Sequence, residues 1–321
     1  MRQFCYLPGI PPKPELMEAN ILTEVFLPVA LGVIMLGMGL SLTIDDFKRI
    51  ALYPKATFVG LSAQLILLPA TAFLVLHIIS VPPALAVGVM LLAVCPGGPT
   101  SNLLSNLARA DIALSITLTA ICSVITVFTI PYLVNLSMEY FIGHGKYVQL
   151  PVVQTMLQIL IITIIPVSLG MLIRWKSPSI AAKAERPVKI ASAIFVTLII
   201  AGAIVKEKDK LAGYFAAVGI IMFLVNVLIL AAGYYVAKAL GLSHRQRSAV
   251  SIEAGIQNGT LAITIASSAF LLNDPTMSIP AAVYSIIMFI TGGVAVYLLS
   301  RRSTSESLKE ANATVEESAS R

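Results

Sequence analysis

Residues 250–267 read VSIEAGIQNGTLAITIAS, an apolar run that one glutamate, one glutamine, one asparagine and two glycines interrupt. If this run lies in a lipid bilayer, the carboxylate of Glu253 near its middle costs about 3 kcal/mol on insertion scales. Ionisable side chains at that depth almost always face a partner that compensates their charge. The stretch therefore raises two questions: whether the chain lies in a membrane, and what stabilises Glu253 there.

The composition of the whole chain answers the first question. Of its 321 residues, 57% are hydrophobic and 12% are charged, and the mean hydropathy is +0.89, which excludes a soluble globular protein. Apolar runs long enough to cross the hydrocarbon core, which takes about 20 residues, occur at residues 25–42, 57–79, 84–107, 112–138, 150–173, 188–205, 211–237, 248–271 and 279–299. The sequence predicts an all-α polytopic membrane protein with nine transmembrane helices.

The two ends of the chain are predicted to lie outside the transmembrane region. Residues 1–24 contain four prolines and no apolar core of the signal-peptide type. Residues 301–321 are polar, and we expect a disordered tail there. The three cysteines lack metal-ligand spacing and indicate no disulfide framework. One transmembrane unit is therefore expected over residues 25–300.

The basic residues predict the orientation of the chain. With the N-terminus outside, nine spans place the C-terminus inside, and 16 of the 22 Lys and Arg residues then lie on the cytoplasmic side. The positive-inside rule favours this arrangement, and Trp175 between two basic residues is typical of an interfacial anchor. We expect a multi-pass protein of the cell inner (plasma) membrane with an extracytoplasmic N-terminal segment and a cytoplasmic tail. No basic patch remains for nucleic acid.

Two of the nine predicted spans carry helix-breaking residues near their middle. The third contains CPGGPTSNLLSN at residues 95–106, and the eighth contains Gly255 and Gly259. Proline removes a backbone donor, and broken backbone at membrane depth is tolerated only where it lines protein or a water-filled cavity. The two spans are five apart, so they run in opposite directions. This is the pattern of an inverted repeat in which two crossed discontinuous helices form a site at the bilayer midplane.

The polar side chains at membrane depth have structural as well as functional interpretations. Ser115 and Thr119 lie four residues apart on one span, and such hydroxyls often bond only to their own helix. Gln64 is explained equally well by an interhelical hydrogen bond. Glu253 differs, because it is the only acidic residue well inside a predicted span and no Lys or Arg lies at its depth. It must either be protonated or face a bound cation.

Three segments together resemble the bile acid:sodium symporter family. They are LGVIMLGMGLSLTIDDF at 31–47, CPGGPTSNLLSNLARADIALSITLT at 95–119 and IEAGIQNG at 252–259. The resemblance covers about residues 25–300 and implies ten helices in two inverted five-helix repeats, of which this chain is expected to lack the first. It implies a core domain and a panel domain, which we assign to residues 57–138 with 211–300, and to 25–56 with 150–205.

The resemblance also implies secondary active transport by alternating access, in which sodium ions move together with an organic anion. It assigns a first sodium ion to Ser101, Asn102, Ser115, Thr119 and Glu253. It assigns a second to Gln64, Glu253, Gln257 and the backbone carbonyls of Ala254 and Ile256. Oxygen ligands of this kind suit a hard monovalent cation. The positions implied for the substrate are Pro99, Thr100, Asn258, Met288 and Phe289.

Two matters stay open at this point. Some family members carry a polar pair where this chain has Met288 and Phe289, so a bile acid and a small carboxylate are both candidate substrates. An intramembrane aspartyl protease is excluded because the predicted spans contain no pair of aspartates at depth. The alternative to transport is a membrane sensor or channel-like protein of the same fold that binds sodium and an anion without coupled flux. Besides sodium, substrate and the lipid bilayer, the sequence indicates no obligate protein partner.

Overall fold

The computed structural model describes residues 25–143, 145, 149–206, 208–268 and 270–319. Within these residues the chain is helical and contains no strand. The helices are α1 Leu27–Ser41, α2 Ile44–Leu52, α3 Pro54–Ile78, α4 Pro83–Val94, α5 Pro99–Leu107, α6 Ile112–Phe141, α7 Val152–Lys176, α8 Pro178–Lys206, α9 Lys208–Ala239, α10 His244–Gly255, α11 Gly259–Ser267 and α12 Ile279–Ala319. The N-terminal segment 1–24, and with it the predicted lack of a helix before α1, lies outside the described residues.

Each predicted span coincides with a helix or with a pair of helices. Among the described residues, five helices are long and apolar enough to cross a bilayer, and α1 and α4 are shorter apolar helices. The third predicted span is divided into α4 and α5, and the eighth into α10 and α11. These helices confirm an all-α polytopic membrane protein.

Local sequence explains where the helices around the breaks begin. Proline occupies the first position of α3, α4 and α5, where its missing N–H leaves no helical hydrogen bond unmade. Asp111 caps α6 by accepting a hydrogen bond from the Leu114 N–H at 3.1 Å. Ser243 and Gln246 form a reciprocal capping box at the start of α10. The start of α6 and the start of α10 are therefore each fixed by a side-chain cap.

Close packing joins α1 to α7 and α8, and joins α9 to α10 and α12. Gly39 on α1 faces the backbone of Val167, and Gly170 on α7 faces the backbone of α1, so that a Cβ atom at either glycine would collide with backbone atoms. Small residues at such contacts let membrane helices approach closely. The division into core and panel domains stays a prediction.

The C-terminal segment differs from the expectation of a disordered tail. Helix α12 continues through Ala319, well beyond the apolar stretch that ends near residue 300. Residues 301–319 contain neither proline nor glycine, and they include four Glu and three Ala, which are compatible with a helix. Polarity alone indicated disorder, whereas the lack of a helix-breaking residue lets the preceding helix propagate.

The amphipathic helix α2 connects α1 to α3 and docks against α6. Thr117 on α6 donates a hydrogen bond to the backbone carbonyl of Asp46 at 2.8 Å. On the exposed face, Lys48 Nζ donates to Asp45 Oδ1 at 2.8 Å, and this hydrogen bond lowers the pKa of the Asp45 carboxyl below its usual value.

Candidate functional site

The two broken helices cross at their breaks. The N–H of Asn258 donates to the carbonyl of Pro96 at 2.9 Å, and Gly97 pairs with Gln257 as an isolated antiparallel bridge. Residues 91–98 and 251–268 are buried without exception. Each break thus supplies backbone partners that the other lost when its helix ended.

Gly97 lets the carboxylate of Glu253 approach the first break. A Cβ atom at position 97 would collide with Oε1 of Glu253, so a larger residue there would displace the carboxylate. Glu253 itself is buried, with 1% of its surface exposed. The last turn of α10 therefore presents its carboxylate directly to the N-terminal end of α5 and to α6.

Five oxygen-bearing residues gather at this point, and we refer to them as the carboxylate cluster: Ser101, Asn102, Ser115, Thr119 and Glu253. The hydroxyl of Thr119 donates to Glu253 Oε1 at 2.6 Å, and that of Ser115 lies 2.9 Å from Glu253 Oε2. The side-chain oxygen Oδ1 of Asn102 lies 2.9 Å from the Ser115 hydroxyl and 3.3 Å from that of Thr119. The structure therefore brings together all five residues that the sequence predicts for the first sodium ion.

The carboxylate cluster contains more short contacts between oxygen atoms than it has hydroxyl hydrogens to form hydrogen bonds in them. The single hydroxyl hydrogen of Ser115 serves either Asn102 Oδ1 or Glu253 Oε2, but not both. That of Thr119 faces the same choice between Glu253 Oε1 and Asn102 Oδ1, while Ser101 donates its hydrogen to the Gly98 carbonyl at 2.7 Å. A cation among these oxygens would remove the shortage, and so would one proton on the carboxyl group. Charge compensation therefore comes from one of these two sources.

Three of the residues predicted for the second sodium ion, Gln64, Gln257 and Ala254, form a different arrangement together with the carbonyl of Cys95. We refer to these two glutamines and two carbonyls as the amide cluster. Gln64 Nε2 donates to Gln257 Oε1 at 2.8 Å and to the Cys95 carbonyl at 3.1 Å. Gln257 Nε2 donates back to Gln64 Oε1 at 3.2 Å and to the Ala254 carbonyl at 2.8 Å. All four amide hydrogens are paired, so this cluster is complete without a cation.

Glu253, which is also predicted for the second ion, makes its hydrogen bonds outside the amide pair. The carboxylate of Glu253 makes its hydrogen bonds with hydroxyls of the carboxylate cluster. Ile256 directly precedes Gln257, and its N–H donates to the Ile252 carbonyl at 2.9 Å at the end of α10. Among the described residues, Gln64, Gln257 and Ala254 are thus in mutual contact, whereas Glu253 bonds to the neighbouring cluster.

The predicted substrate residues lie around the crossing in different environments. Pro99 and Thr100 are half-buried in the first turn of α5. Asn258 is buried and caps α11, because its Oδ1 accepts from the Leu261 N–H at 3.0 Å. Met288 is 4% exposed and Phe289 45% exposed, as expected for neighbours about 100° apart on a helix. Only Met288 of this pair points into the protein.

Sequence reasoning missed three buried polar residues near the crossing. Ser105 donates to the hydroxyl of Ser115 at 3.1 Å and so extends the carboxylate cluster. Asn226 and Tyr284 contact the carbonyl of Gly255 at the end of α10. Asn226 could have been found, because it stands alone as a polar residue in the apolar run of α9. Tyr284 gives no such signal, since tyrosine is common near membrane interfaces.

The sequence of the chain is similar to a known protein family and to individual transporters. The family model described as the Sodium Bile acid symporter family matches residues 28–214, which include the first broken helix. The chain is 27% identical over 277 residues to the uncharacterized sodium-dependent transporter YocS of Bacillus subtilis, covering 86% of this chain and 84% of that protein. It is 29% identical over 292 residues to the probable chloroplastic sodium/metabolite cotransporter BASS1 of Arabidopsis thaliana, covering 91% of this chain and 70% of that protein.

Proposed function

Because the chain belongs to the sodium bile acid symporter family, whose model matches more than half of it, we propose that it is a secondary active transporter that couples two sodium ions to an organic anion. Sodium-dependent transport is the activity of the family, and the chain is a transporter rather than an enzyme. The number of ions, the nature of the anion and the alternating-access mechanism are the proposal.

The observation that carries the proposal is the carboxylate cluster. Glu253 is buried at the crossing, and its hydrogen bonds come from neutral hydroxyls, so its charge has no protein counter-ion among the described residues. The surrounding oxygens of Ser115, Thr119 and Asn102 are hard, uncharged ligands. One carboxylate among several neutral oxygens matches the charge of a monovalent cation and would leave a divalent ion undercompensated.

The second sodium ion binds where the amide cluster now lies. Its oxygens, Gln64 Oε1, Gln257 Oε1 and the Ala254 carbonyl, all accept amide hydrogens. The two glutamine side chains must therefore turn their nitrogens away before these oxygens can face a cation. This requirement makes the carboxylate cluster the first site to fill, with the second site following a rearrangement of Gln64 and Gln257.

The anion binds near the helix N-termini at the crossing. Helices α5 and α11 both begin at the breaks, and the N-terminus of a helix favours negative charge. Met288 contributes an apolar surface, which suits an organic anion such as a bile acid or a small carboxylate. The name of the Arabidopsis relative, a probable sodium/metabolite cotransporter, supports a metabolite as the substrate. In this proposal the core domain moves against the panel domain, in the inner (plasma) membrane with the N-terminus outside and the C-terminus in the cytoplasm.

The decisive experiment measures uptake by purified protein in proteoliposomes with an inward sodium gradient and a panel of radiolabelled organic anions. We expect one or more anions to accumulate against their gradient only with sodium. A sodium-independent equilibration would favour the channel-like alternative, and anion binding without flux would favour the sensor. A proton gradient without sodium is the matched control, because it tests whether a proton rather than sodium compensates Glu253.

Transport of two sodium ions with one monovalent anion moves a net charge of +1. A potential of about 100 mV then contributes roughly 2.3 kcal/mol, and a tenfold sodium gradient adds about 1.4 kcal/mol for each ion. Together these hold the anion concentrated by three to four orders of magnitude, at about 1.4 kcal/mol per decade. Potassium and valinomycin can be used to set the membrane potential. Uptake that does not depend on this potential and that rises with the first power of the sodium concentration would contradict the two-ion model.

A further inference from the structure

A second polar network ends on the last residue of α10. The carbonyl of Gly255 accepts hydrogen bonds from Asn226 Nδ2 at 2.7 Å and from the Tyr284 hydroxyl at 2.8 Å. Asn226 Nδ2 also lies 2.8 Å from the Tyr284 hydroxyl, and Asn226 Oδ1 accepts from the hydroxyl of Thr291. The side chains of Asn226 and Tyr284 are fully buried. Helices α9 and α12 thus both hold the end of the half-helix that carries Glu253.

The chemistry of the network fixes its orientation. A backbone carbonyl only accepts hydrogen bonds, so the amide nitrogen of Asn226 must face Gly255 and its oxygen must face Thr291. One amide hydrogen serves the Gly255 carbonyl and the other serves the Tyr284 oxygen, whose own hydrogen also points to Gly255. Both lone pairs of that carbonyl are therefore occupied, and it is not free to bind an ion.

The held carbonyl lies between those of Ala254 and Ile256, the two carbonyls that the family resemblance assigns to the second sodium ion. Their directions depend on the backbone dihedral angles at Gly255, and glycine has the widest choice of such angles. A Cβ atom at this position would collide with Leu230, so glycine is the residue that packs here. Because glycine has no Cβ atom, the backbone dihedral angles at this position are less restricted than they would be for another residue. Two hydrogen bonds to its carbonyl restore that restriction.

We propose that Asn226 and Tyr284 are positioning residues for the second sodium site, which hold the Gly255 peptide so that the Ala254 and Ile256 carbonyls face the cation. This inference rests on the proposed function, because it presumes that sodium binds at those carbonyls. Neither residue contacts the ion. They act through the backbone, and without them the second sodium ion binds more weakly while the carboxylate cluster stays intact.

The test compares Tyr284→Phe with Tyr234→Phe by sodium titration of uptake in proteoliposomes. Both substitutions remove one buried hydroxyl, but that of Tyr234 bonds to His244 at 3.0 Å, away from Gly255. We expect Tyr284→Phe to raise the half-saturating sodium concentration about threefold to tenfold, the range for a lost membrane hydrogen bond, and to lower the Hill coefficient toward one. Tyr234→Phe should titrate like the wild type.

A second pair of variants separates positioning from folding. Asn226→Leu removes both donors to the network, and Asn135→Leu removes two hydrogen bonds of the same kind between α6 and Leu150. Asn226→Leu should shift the sodium titration by at least as much as Tyr284→Phe, whereas Asn135→Leu should alter only the melting temperature measured without sodium. If Asn226→Leu does not fold, Tyr284→Phe alone decides.

The outcomes distinguish this inference from the proposed function. A wild-type protein without sodium-dependent uptake or sodium-dependent stabilisation would overturn the proposed function. A sodium-dependent wild type with a Tyr284→Phe variant of unchanged half-saturating concentration and Hill coefficient would overturn only the positioning role. If a variant has a lower maximal rate or a lower stability but an unchanged sodium titration, the substitution has only disturbed packing. This result would also reject the positioning role.

Discussion

The carboxylate cluster and the amide cluster both join the first broken helix to the second, yet their hydrogen bonds are balanced differently. In the carboxylate cluster, two hydroxyl hydrogens are shared among three acceptor oxygens of Asn102 and Glu253. In the amide cluster, Gln64 and Gln257 satisfy each other and two backbone carbonyls. Burial of polar groups does not by itself indicate a cation site. A surplus of acceptor oxygens over hydrogens around a buried carboxylate calls for either a cation or a further proton.

The largest effect is expected for Glu253→Gln, which replaces the only charge of the carboxylate cluster by an amide of the same shape. The stabilisation that sodium gives to the folded protein, about 2.7 kcal/mol at 100 times the dissociation constant, should disappear. The measurement is the melting temperature as a function of sodium concentration. Asp45→Asn, which neutralises an exposed carboxylate paired with Lys48, should keep the full sodium response. A sodium response of Glu253→Gln equal to that of the wild type would remove Glu253 from the site.

Thr119→Val should weaken sodium binding about tenfold to a hundredfold, because it deletes the hydroxyl 2.6 Å from Glu253 at nearly constant volume. Thr126→Val is the matched control on the same helix, since the Thr126 hydroxyl bonds to the Cys122 carbonyl of its own helix. Titration of sodium-dependent stabilisation compares the two variants. Equal affinities in both would mean that the Thr119 hydroxyl serves only its helix.

The amide cluster should show coupling that does not need sodium. Gln64→Leu or Gln257→Leu alone leaves the partner amide buried and unpaired, at a cost of about 1–3 kcal/mol in unfolding free energy. The double variant should cost less than the sum of the single variants by about 1 kcal/mol. A double-mutant cycle by chemical unfolding in sodium-free buffer measures this coupling. If the effects of the single variants are additive, the two glutamines act independently. The amide cluster would then not be an internally paired unit that differs from the carboxylate cluster.

The smallest effect is expected for Asn258→Ala, which belongs to neither cluster. Loss of its cap on α11 should cost about 1 kcal/mol in stability. Anion affinity should fall severalfold, because the N-terminal turn of α11 is held less firmly at the proposed anion site, while sodium affinity changes little. Parallel titrations with anion and with sodium check this. Equal loss of both affinities would assign Asn258 to the cation site or to the fold.

Much of the architecture follows from the sequence because its signals are local. Long apolar runs predict the helices, and the PGGP segment and the two glycines around Ile256 predict the breaks, since each acts on backbone hydrogen bonds within a few residues. The five members of the carboxylate cluster also gather as the family resemblance implies.

The remaining features depend on contacts between distant segments. Gln64 and Gln257 are 193 positions apart, and only three-dimensional proximity determines that their amides pair with each other. The hydrogen bonds from Asn226 and Tyr284 to the Gly255 carbonyl likewise connect three helices. The helical continuation of α12 shows the converse case, in which a general rule about polar composition is overridden by the helix that precedes the segment.

The backbone pairing at the crossing has a consequence for protein engineering. Asn258 donates its N–H to Pro96, and Gly97 pairs with Gln257, through main-chain atoms that every amino acid except proline possesses. Side-chain replacements at positions 64, 102, 115 and 119 therefore leave the joint between the half-helices in place. We therefore expect that the ligands around the crossing can be exchanged to alter ion preference while the backbone frame that presents them is kept.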